Sequence, residues 1–472
     1  MKLLDTIAAI STPNGRGGVA MVRVSGADAV NIASRVFLPK NGKSLSDAAP
    51  RMAIYGTILA PDEGAWVAVD DGVATVFRAP ASFTGEDTVE ICCHGGVLVT
   101  QTVLSALLSA GARVAEAGEF TRRAHLNGKL GLGAAEALGS LLEAGNRAQM
   151  TLAYGGLDGK LEQKSRACYE QMRLVMTSVL ACIDFPDEDL AEMSREEMER
   201  TLGATLAELR ALAATYRTGH AVAEGIPTVI CGRTNAGKSS LYNQLLGRDA
   251  AIVTDIEGTT RDVLSETTSL GKVTLRLCDT AGLRDTQDAV ERIGIDRARA
   301  AMDSAELILA LFDLTRPLCE EDEQLLRLLA ERQSSQGLQV IALLNKADAV
   351  NADAPAAQTE QEVRRSIENV LAVSAKDGQG MDELQMLIER MFLDGALNLR
   401  DDAVIANARQ HASVVRAMEA LARTLDALAA DLPMDLCCED LGVAMSALSE
   451  LDGREVGEDV VNEIFAHFCV GK

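Results

Sequence analysis

No stretch of the 472-residue chain approaches the roughly 18 consecutive apolar residues that a membrane-spanning helix requires, although 47% of its residues are hydrophobic. A membrane span is therefore not expected. The opening Met1-Lys2-Leu3-Leu4-Asp5 lacks a charged segment followed by a long apolar one, so no secretory leader is expected either, and the cytoplasm is the expected compartment. The ten cysteines include no C-x-x-C pair, and two pairs, Cys92-Cys93 and Cys437-Cys438, are adjacent. Neither a zinc site nor a disulfide framework is indicated, which is the usage of a reducing compartment. Basic residues are also short: 45 Lys and Arg face 69 Asp and Glu, for a net charge of -24. Phosphate contacts need clustered positive charge, so this balance argues against unaided tight binding to nucleic acid. If RNA is the substrate, a basic partner or a local patch must supply much of the grip, and most of the carboxylates serve as a solubilising surface.

The feature around which the rest is arranged is Gly232-Arg233-Thr234-Asn235-Ala236-Gly237-Lys238-Ser239-Ser240. The β-branched run Thr228-Val229-Ile230-Cys231 precedes it and the helix-forming Leu241-Tyr242-Asn243-Gln244-Leu245-Leu246 follows. Strand, glycine loop and helix start are the context of a phosphate-binding loop. Gly232 and Gly237 let backbone N–H groups turn inward, Lys238 neutralises the β/γ oxygens, and Ser239 offers a hydroxyl to Mg²⁺.

Four further elements follow in workable order. Gly258-Thr259-Thr260-Arg261-Asp262 is a polar loop with a threonine able to reach Mg²⁺, taken as Thr260. Asp279-Thr280-Ala281-Gly282 follows the strand Val273 to Cys278; its aspartate can hold the metal's water shell and its glycine N–H can sense the γ-phosphate. Asn345-Lys346-Ala347-Asp348 ends the strand Val340 to Leu344, and Asp348 is placed to accept both N–H groups of a guanine edge, which adenine does not offer. Ser374-Ala375-Lys376, after the strand Val370 to Val373, closes over the base. Each element alone reads equally as a turn, an acidic loop end or a strand terminus. Five in register point to GTP hydrolysis.

The length predicts about three domains. Residues 1–122 read as an α+β domain, with strands at Thr6 to Ile10, Val19 to Val24, Met52 to Ile58, Val73 to Phe77 and Thr88 to Cys93, and a helix from about Leu98 to Ala110. Residues 123–222 turn to helices, striped by Leu157, Leu161, Cys168, Met172, Val175 and Val179, and by Leu202, Leu206, Leu209 and Tyr216. The α/β nucleotide domain fills 223–393, and residues 394–472 resume the helical style with Val414, Met418, Leu421, Leu425, Leu428 and Leu432. Similar stripes on both sides predict one all-α bundle interrupted by an inserted domain; two unrelated helical domains are the alternative.

Taken in order, the strings resemble the MnmE (TrmE) family of tRNA-modification GTPases over nearly the whole chain. They are Asp5 to Ile10 with Gly15-Arg16-Gly17-Gly18 and Arg23; Ser82-Phe83-Thr84-Gly85-Glu86-Asp87; Gly118-Glu119-Phe120-Thr121 leading to Asn127-Gly128-Lys129; Ile183-Asp184-Phe185-Pro186-Asp187; the nucleotide set; and the terminal Phe468-Cys469-Val470-Gly471-Lys472. The resemblance implies a GTP- and potassium-dependent homodimer that works with a larger FAD-containing partner of the MnmG (GidA) type. Together they would attach an aminomethyl-type group to carbon five of the tRNA wobble uridine, drawing the one-carbon unit from 5-formyltetrahydrofolate or a related tetrahydrofolate.

It also implies residue roles. Leu283 stands where Ras-like enzymes carry the water-orienting glutamine, and Glu291 takes that task by resemblance; on its own it reads as an exposed helix glutamate paired with an arginine. The loop Thr254-Asp255-Ile256-Glu257-Gly258-Thr259 would border the nucleotide, with potassium held by Asn235 and by Thr254, Ile256 and Thr259. Thr234 replaces the family's usual proline, which would loosen the loop without removing a ligand. Gly131-Leu132-Gly133 departs from the family's usual Asp-Leu followed by polar residues. Folate would meet Arg23, Glu90, Lys129 and Lys472, the basic groups suiting a glutamyl tail and the carboxylate a pterin edge. Cys469 is either a nucleophile toward an activated carbon or a small buried hydrophobe. The alternative function is a GTP-dependent ribosome-assembly or stress-response switch, which has no need of the N-terminal domain or the Cys-Val-Gly-Lys end.

Overall fold

The computed structural model describes residues 5–13, 15–184, 193–248, 265–278, 302–303, 305–336, 338–350, 355–451, 453, 457–466, 468 and 470–471. The chain forms two compact units, Met1–Gly139 with Ser449–Lys472, and Ser140–Leu448. Among the described residues no helix is long and apolar enough to cross a membrane.

The first unit is built on strands β1 (Ile7–Ile10), β2 (Val19–Ser25), β3 (Phe37–Pro39), β4 (Ala53–Asp62), β5 (Ala65–Phe77), β6 (Thr88–His94) and β7 (Arg113–Val114). They form one sheet in the order β3-β4-β5-β6-β2-β1-β7, antiparallel except for the parallel β1–β7 pair. Alternate residues such as Val22, Val24, Ala74, Val76, Val89 and Ile91 face a core shared with the helices Ala29–Val36 and Val97–Ser109. The β4–β5 hairpin is longer than the periodicity predicts, because Asp70-Asp71-Gly72 interrupts the apolar alternation in mid-strand. Cross-strand bonds absorb those charges: Asp71 accepts from Thr57 Oγ1 (2.7 Å) and Tyr55 Oη (3.2 Å), and Asp70 accepts from the His94 N–H (2.9 Å). A bulge between Ile58 and Leu59 takes up the change of register.

The tail belongs to this unit. Helix Glu458–Ala466 packs Val461 and Phe465 against Leu132 and Ala135, and Val470 bridges to Ala117. Gly471 has φ +102°, and a side chain there would strike the carbonyl of Ile10; Ser11 Oγ donates to the Gly471 carbonyl at 3.0 Å. The glycine of the terminal string is thus explained by a close backbone crossing.

In the second unit, β8 (Ile226–Gly232), β9 (Ser265–Leu270), β10 (Val273–Cys278), β11 (Leu307–Asp313), β12 (Gln339–Asn345) and β13 (Asn369–Ala372) form a sheet in the order β13-β12-β11-β8-β10-β9. All neighbours are parallel except β9–β10. β11 is buried along its whole length. Leu307, Leu309 and Leu311 pack with the helices Lys238–Arg248 and Met381–Phe392, whereas Ile308, Ala310 and Phe312 pack on the opposite face with Glu320–Gln336 and Ala356–Ser366. A strand covered on both sides reads as a continuous apolar run, as this one does.

The helices on either side of this sheet in sequence meet in one bundle: Ala408–Ala429 packs on Arg195–Ala214, which packs on Lys160–Asp184. An interrupted bundle with an inserted α/β domain is therefore the architecture. Capping sets the helix starts. Ser194 and Glu197 form a reciprocal capping box, and Asn407 accepts from the Gln410 N–H. Three stripe residues depart from expectation. Leu157 ends a separate helix, Arg147–Leu157, before Lys160–Asp184 begins. The second stripe breaks at Thr215, so Tyr216 opens a separate helix, Tyr216–Ala223; Leu432 lies beyond the end of its helix and is exposed.

Candidate functional site

β8 sits where the strand order reverses, with β11 on one side and β10 on the other. The loop after it therefore opens into the crevice where ligands bind open α/β sheets. Gly237 takes φ +104°, and a Cβ there would collide with the buried amide of Asn345, so only glycine fits. Lys238, the first residue of its helix, curls back to donate to the carbonyls of Gly232 (2.8 Å) and Arg233 (2.9 Å). Burial draws its pKa down; phosphate oxygens would compete for the same ammonium. Asn235 stands exposed at φ +63°, Ala236 is buried beneath it, and Ser239 and Ser240 are exposed at the helix start.

The base corner is assembled through backbone atoms. Asn345, buried, donates through Nδ2 to the Ala236 carbonyl (2.7 Å) and accepts through Oδ1 from the Ala375 N–H (2.9 Å). One amide thereby ties the phosphate loop to the Ser374-Ala375-Lys376 loop. Ser374 is buried and its hydroxyl accepts from the Asp377 N–H (3.2 Å), whereas Lys376 is exposed. Lys346 leaves the strand in a left-handed turn at φ +67°, and Asp348, in the turn Ala347–Ala349, is exposed and free to meet a base edge. All members of these three predicted elements converge on the same end of the sheet.

The remaining nucleotide residues, Thr254, Asp255, Ile256, Glu257, Gly258, Thr259, Thr260, Asp279, Thr280, Ala281, Gly282 and Glu291, lie outside the described residues, as do Leu283, Cys469 and Lys472. One buried charge beside this corner escapes the sequence reading. Asp313, at the end of β11, is buried and holds the Lys346 ammonium at 2.7 Å. Its signal is the one that marks Asn345, a polar residue ending an otherwise apolar central strand.

A second cluster lies in the first unit. Arg23 and Glu90, cross-strand partners on β2 and β6, form an ion pair at 2.8 Å. The guanidinium lies 5.5 Å from the ring centroid of Phe83 and 5.6 Å from that of Phe120. Lys129 Nζ donates to the Pro80 carbonyl at 3.0 Å, with its stem beside Gly85. The loop 80–87 therefore touches both Arg23 and Lys129. Burial pushes the Cys93 and Cys168 thiols up to about 11 and the Cys231 thiol to about 12, so these three remain protonated at neutral pH.

A phosphate cradle at the switch point of a parallel sheet, locked by Asn345 to a corner that leaves Asp348 open, makes the second unit a P-loop GTPase. Comparison with known proteins narrows the class. Residues 6–129 match the family model described as "GTP-binding protein TrmE N-terminus", and residues 132–469 match "MnmE helical domain", a span that starts before the nucleotide sheet and ends after it. The tRNA modification GTPase MnmE of Heliobacterium modesticaldum is 40% identical over 475 residues, covering 99% of each chain. That of Lactiplantibacillus plantarum is 39% identical over 472 residues, covering 99% of this chain and 98% of its own. The chain belongs to the MnmE (TrmE) family of tRNA modification GTPases.

Proposed function

We propose that this GTPase acts on tRNA with an FAD-containing partner of the MnmG type, installing an aminomethyl-type (carboxymethylaminomethyl) group on carbon five of the wobble uridine from a tetrahydrofolate one-carbon unit. The observation that carries the GTP half is Asn345, whose two bonds fix the phosphate loop and the base loop against each other. Ser239, exposed at the helix start, suits Mg²⁺, with Thr260 as its partner. Asn235, exposed at the loop tip, suits potassium, with Thr254, Ile256 and Thr259 completing the set; the ion would supply the positive charge that an arginine finger supplies elsewhere. Glu291 would orient the attacking water, and closure of two copies across the nucleotide would couple hydrolysis to the homodimer.

Support for the folate half comes from Arg23, Glu90 and Lys129, gathered by the loop 80–87, and from Val470 and Gly471, which bring the end of the tail back to Ala117 and β1; Cys469 and Lys472 are the tail residues assigned to the reaction. The domain bounds we assign are 1–122, 123–222, 223–393 and 394–472. Two measurements test the reading separately. GTP turnover of the full chain should rise roughly tenfold or more when potassium replaces sodium, and equal rates would remove the potassium site. Mass spectrometry of wobble nucleosides from a strain lacking the protein should show loss of the modified uridine. An unchanged nucleoside would remove the modification reading and leave the GTPase intact.

A further inference from the structure

Arg233, the second residue of the phosphate loop, reaches across to the segment that opens the helix Glu320–Gln336. Its Nη1 donates to Cys319 Sγ at 3.4 Å and lies 3.9 Å from Asp322 Oδ2. That same Oδ2 accepts from the Cys319 N–H (3.1 Å) and from the Cys319 thiol (3.3 Å). The sulfur therefore bridges a guanidinium and a carboxylate, accepting from one and donating to the other. Capping of the helix accounts for the bond from the Cys319 N–H. It does not account for the depth of the carboxylate: the Asp322 side chain is only 5% exposed, and its Oδ1 is buried without a hydrogen bond among the described residues. An aspartate is rarely buried so far without a charged partner, and Arg233 is the cation that the fold brings to it. The backbone of Arg233 is held as well. Its carbonyl accepts from the Lys238 ammonium (2.9 Å) and from the Ala236 N–H (3.3 Å), and a side chain on Gly232 before it, at φ +143°, would strike the Leu311 carbonyl. Asn345 ties the far end of the loop through Ala236, and Arg233 ties the near end.

We propose that Asp322 is a positioning residue for nucleotide binding: through the Cys319 thiol it holds Arg233, and with it the first turn of the phosphate loop, in the shape that receives phosphate. Phosphate oxygens that draw Lys238 from the carbonyls of Gly232 and Arg233 remove one tie from the near end of the loop. The tie through the Arg233 side chain then keeps that end in place. The inference rests on the GTPase site alone and is independent of the tRNA chemistry.

The test is a double-mutant cycle on the full chain, with GDP binding measured by calorimetry so that hydrolysis does not intervene. Asp322→Asn keeps an oxygen for the Cys319 N–H and removes the charge, and Arg233→Met removes the guanidinium. Each should weaken GDP about tenfold, the scale of a charged hydrogen bond, and the double variant should be no weaker than the worse single one. Arg233→Lys, which keeps a charged donor, should recover most of the affinity lost in Arg233→Met, and none of it in the Asp322→Asn background. Cys319→Ala, which removes the bridging sulfur, should weaken GDP about threefold. A helix cap alone would lower the melting temperature of Asp322→Asn and leave its GDP affinity at the parent value, and that result overturns the proposal. Additive losses in the cycle, parent affinity in Cys319→Ala, or an Arg233→Lys result indifferent to Asp322 overturn it too. If Asp322→Asn fails to fold, the cycle is closed with Cys319→Ala and Arg233→Met, and additive losses there refute the role.

Discussion

The two places where motif strings gather use their side chains in opposite ways. At the nucleotide corner the bonds run from side chain to backbone, Lys238 to Gly232 and Arg233, Asn345 to Ala236 and Ala375, leaving Ser239, Asp348 and Lys376 open to solvent. These strings describe a receptacle. In the first unit, Asp5, Glu86 and Glu119, drawn from three separate strings, turn inward onto Arg123, whose side chain is 1% exposed. Its guanidinium reaches Asp5 Oδ1 at 2.7 Å, Glu119 at 2.9 Å and Glu86 at 3.3 Å, and Arg113 clamps Glu119 and Asp5 again at 2.7 Å each. Burial of Glu119 works against its charge, yet Arg113, the Glu116 N–H and Arg123 hold its carboxyl below the usual range. These strings describe a clamp. An equally distinctive string can therefore be a binding element or an internal fastening, and burial separates the two.

The largest expected effect breaks the clamp. Arg123→Met leaves three carboxylates around a buried site without their central cation, which should cost about 3–5 kcal/mol in chemical denaturation of the full chain. GDP affinity, measured below the transition, should stay near wild type. A loss under about 1 kcal/mol, the scale of a surface pair, would show that the cluster does not hold the unit together. The complementary variant breaks the receptacle. Gly237→Ala forces a side chain into φ +104° and against the Asn345 amide, so nucleotide affinity should fall about 100-fold, near 3 kcal/mol. Preserved GDP binding in that variant would mean that Asn345 is not the tie between the two loops.

Legibility in the sequence follows the same division. β12 was readable because a doubly covered parallel strand is an uninterrupted apolar run and a motif string ends it; β11, just as apolar, was not singled out because no motif string follows it. Lys238, Asn345 and Asp348 were readable because local strand–loop–helix geometry fixes what each does. The Asp313–Lys346 ion pair was not, since it arises only when β11 and β12 pair and bring the two residues together. Arg123 escaped for the same reason: its partner Asp5 is 118 residues away in sequence. The β4–β5 hairpin was half missed because Asp70-Asp71-Gly72 resembles a turn until the cross-strand donors are in place. Arg23 and Glu90 were singled out as ligand contacts, and in the chain as it stands they satisfy each other.

The smallest effect tests how the helical bundle meets the nucleotide sheet. His220, in the helix Tyr216–Ala223, bonds Glu306 at 3.2 Å at the foot of β11, with Glu224 at 3.5 Å. Glu306 raises the pKa of this histidine, burial opposes the rise, Glu224 adds to it and Arg276 detracts. Tyr216 lies against His220 on one side and stacks on His411 at 4.1 Å, and burial lowers the pKa of His411. The two histidines therefore oppose each other. A raised pKa contributes stability that is present in full below about 6.5, the unfolded value, and is lost as pH rises through the folded value. A lowered one instead costs stability as pH falls below about 6.5, because the unfolded chain then takes up the proton more readily. His220→Gln removes the first and leaves the second. Relative to the parent chain, the variant should be less stable by under about 1 kcal/mol at pH 6, with the deficit shrinking toward pH 8. A deficit that is constant with pH, followed by thermal denaturation at matched ionic strength, would show that His220 joins bundle and sheet by packing and not by charge.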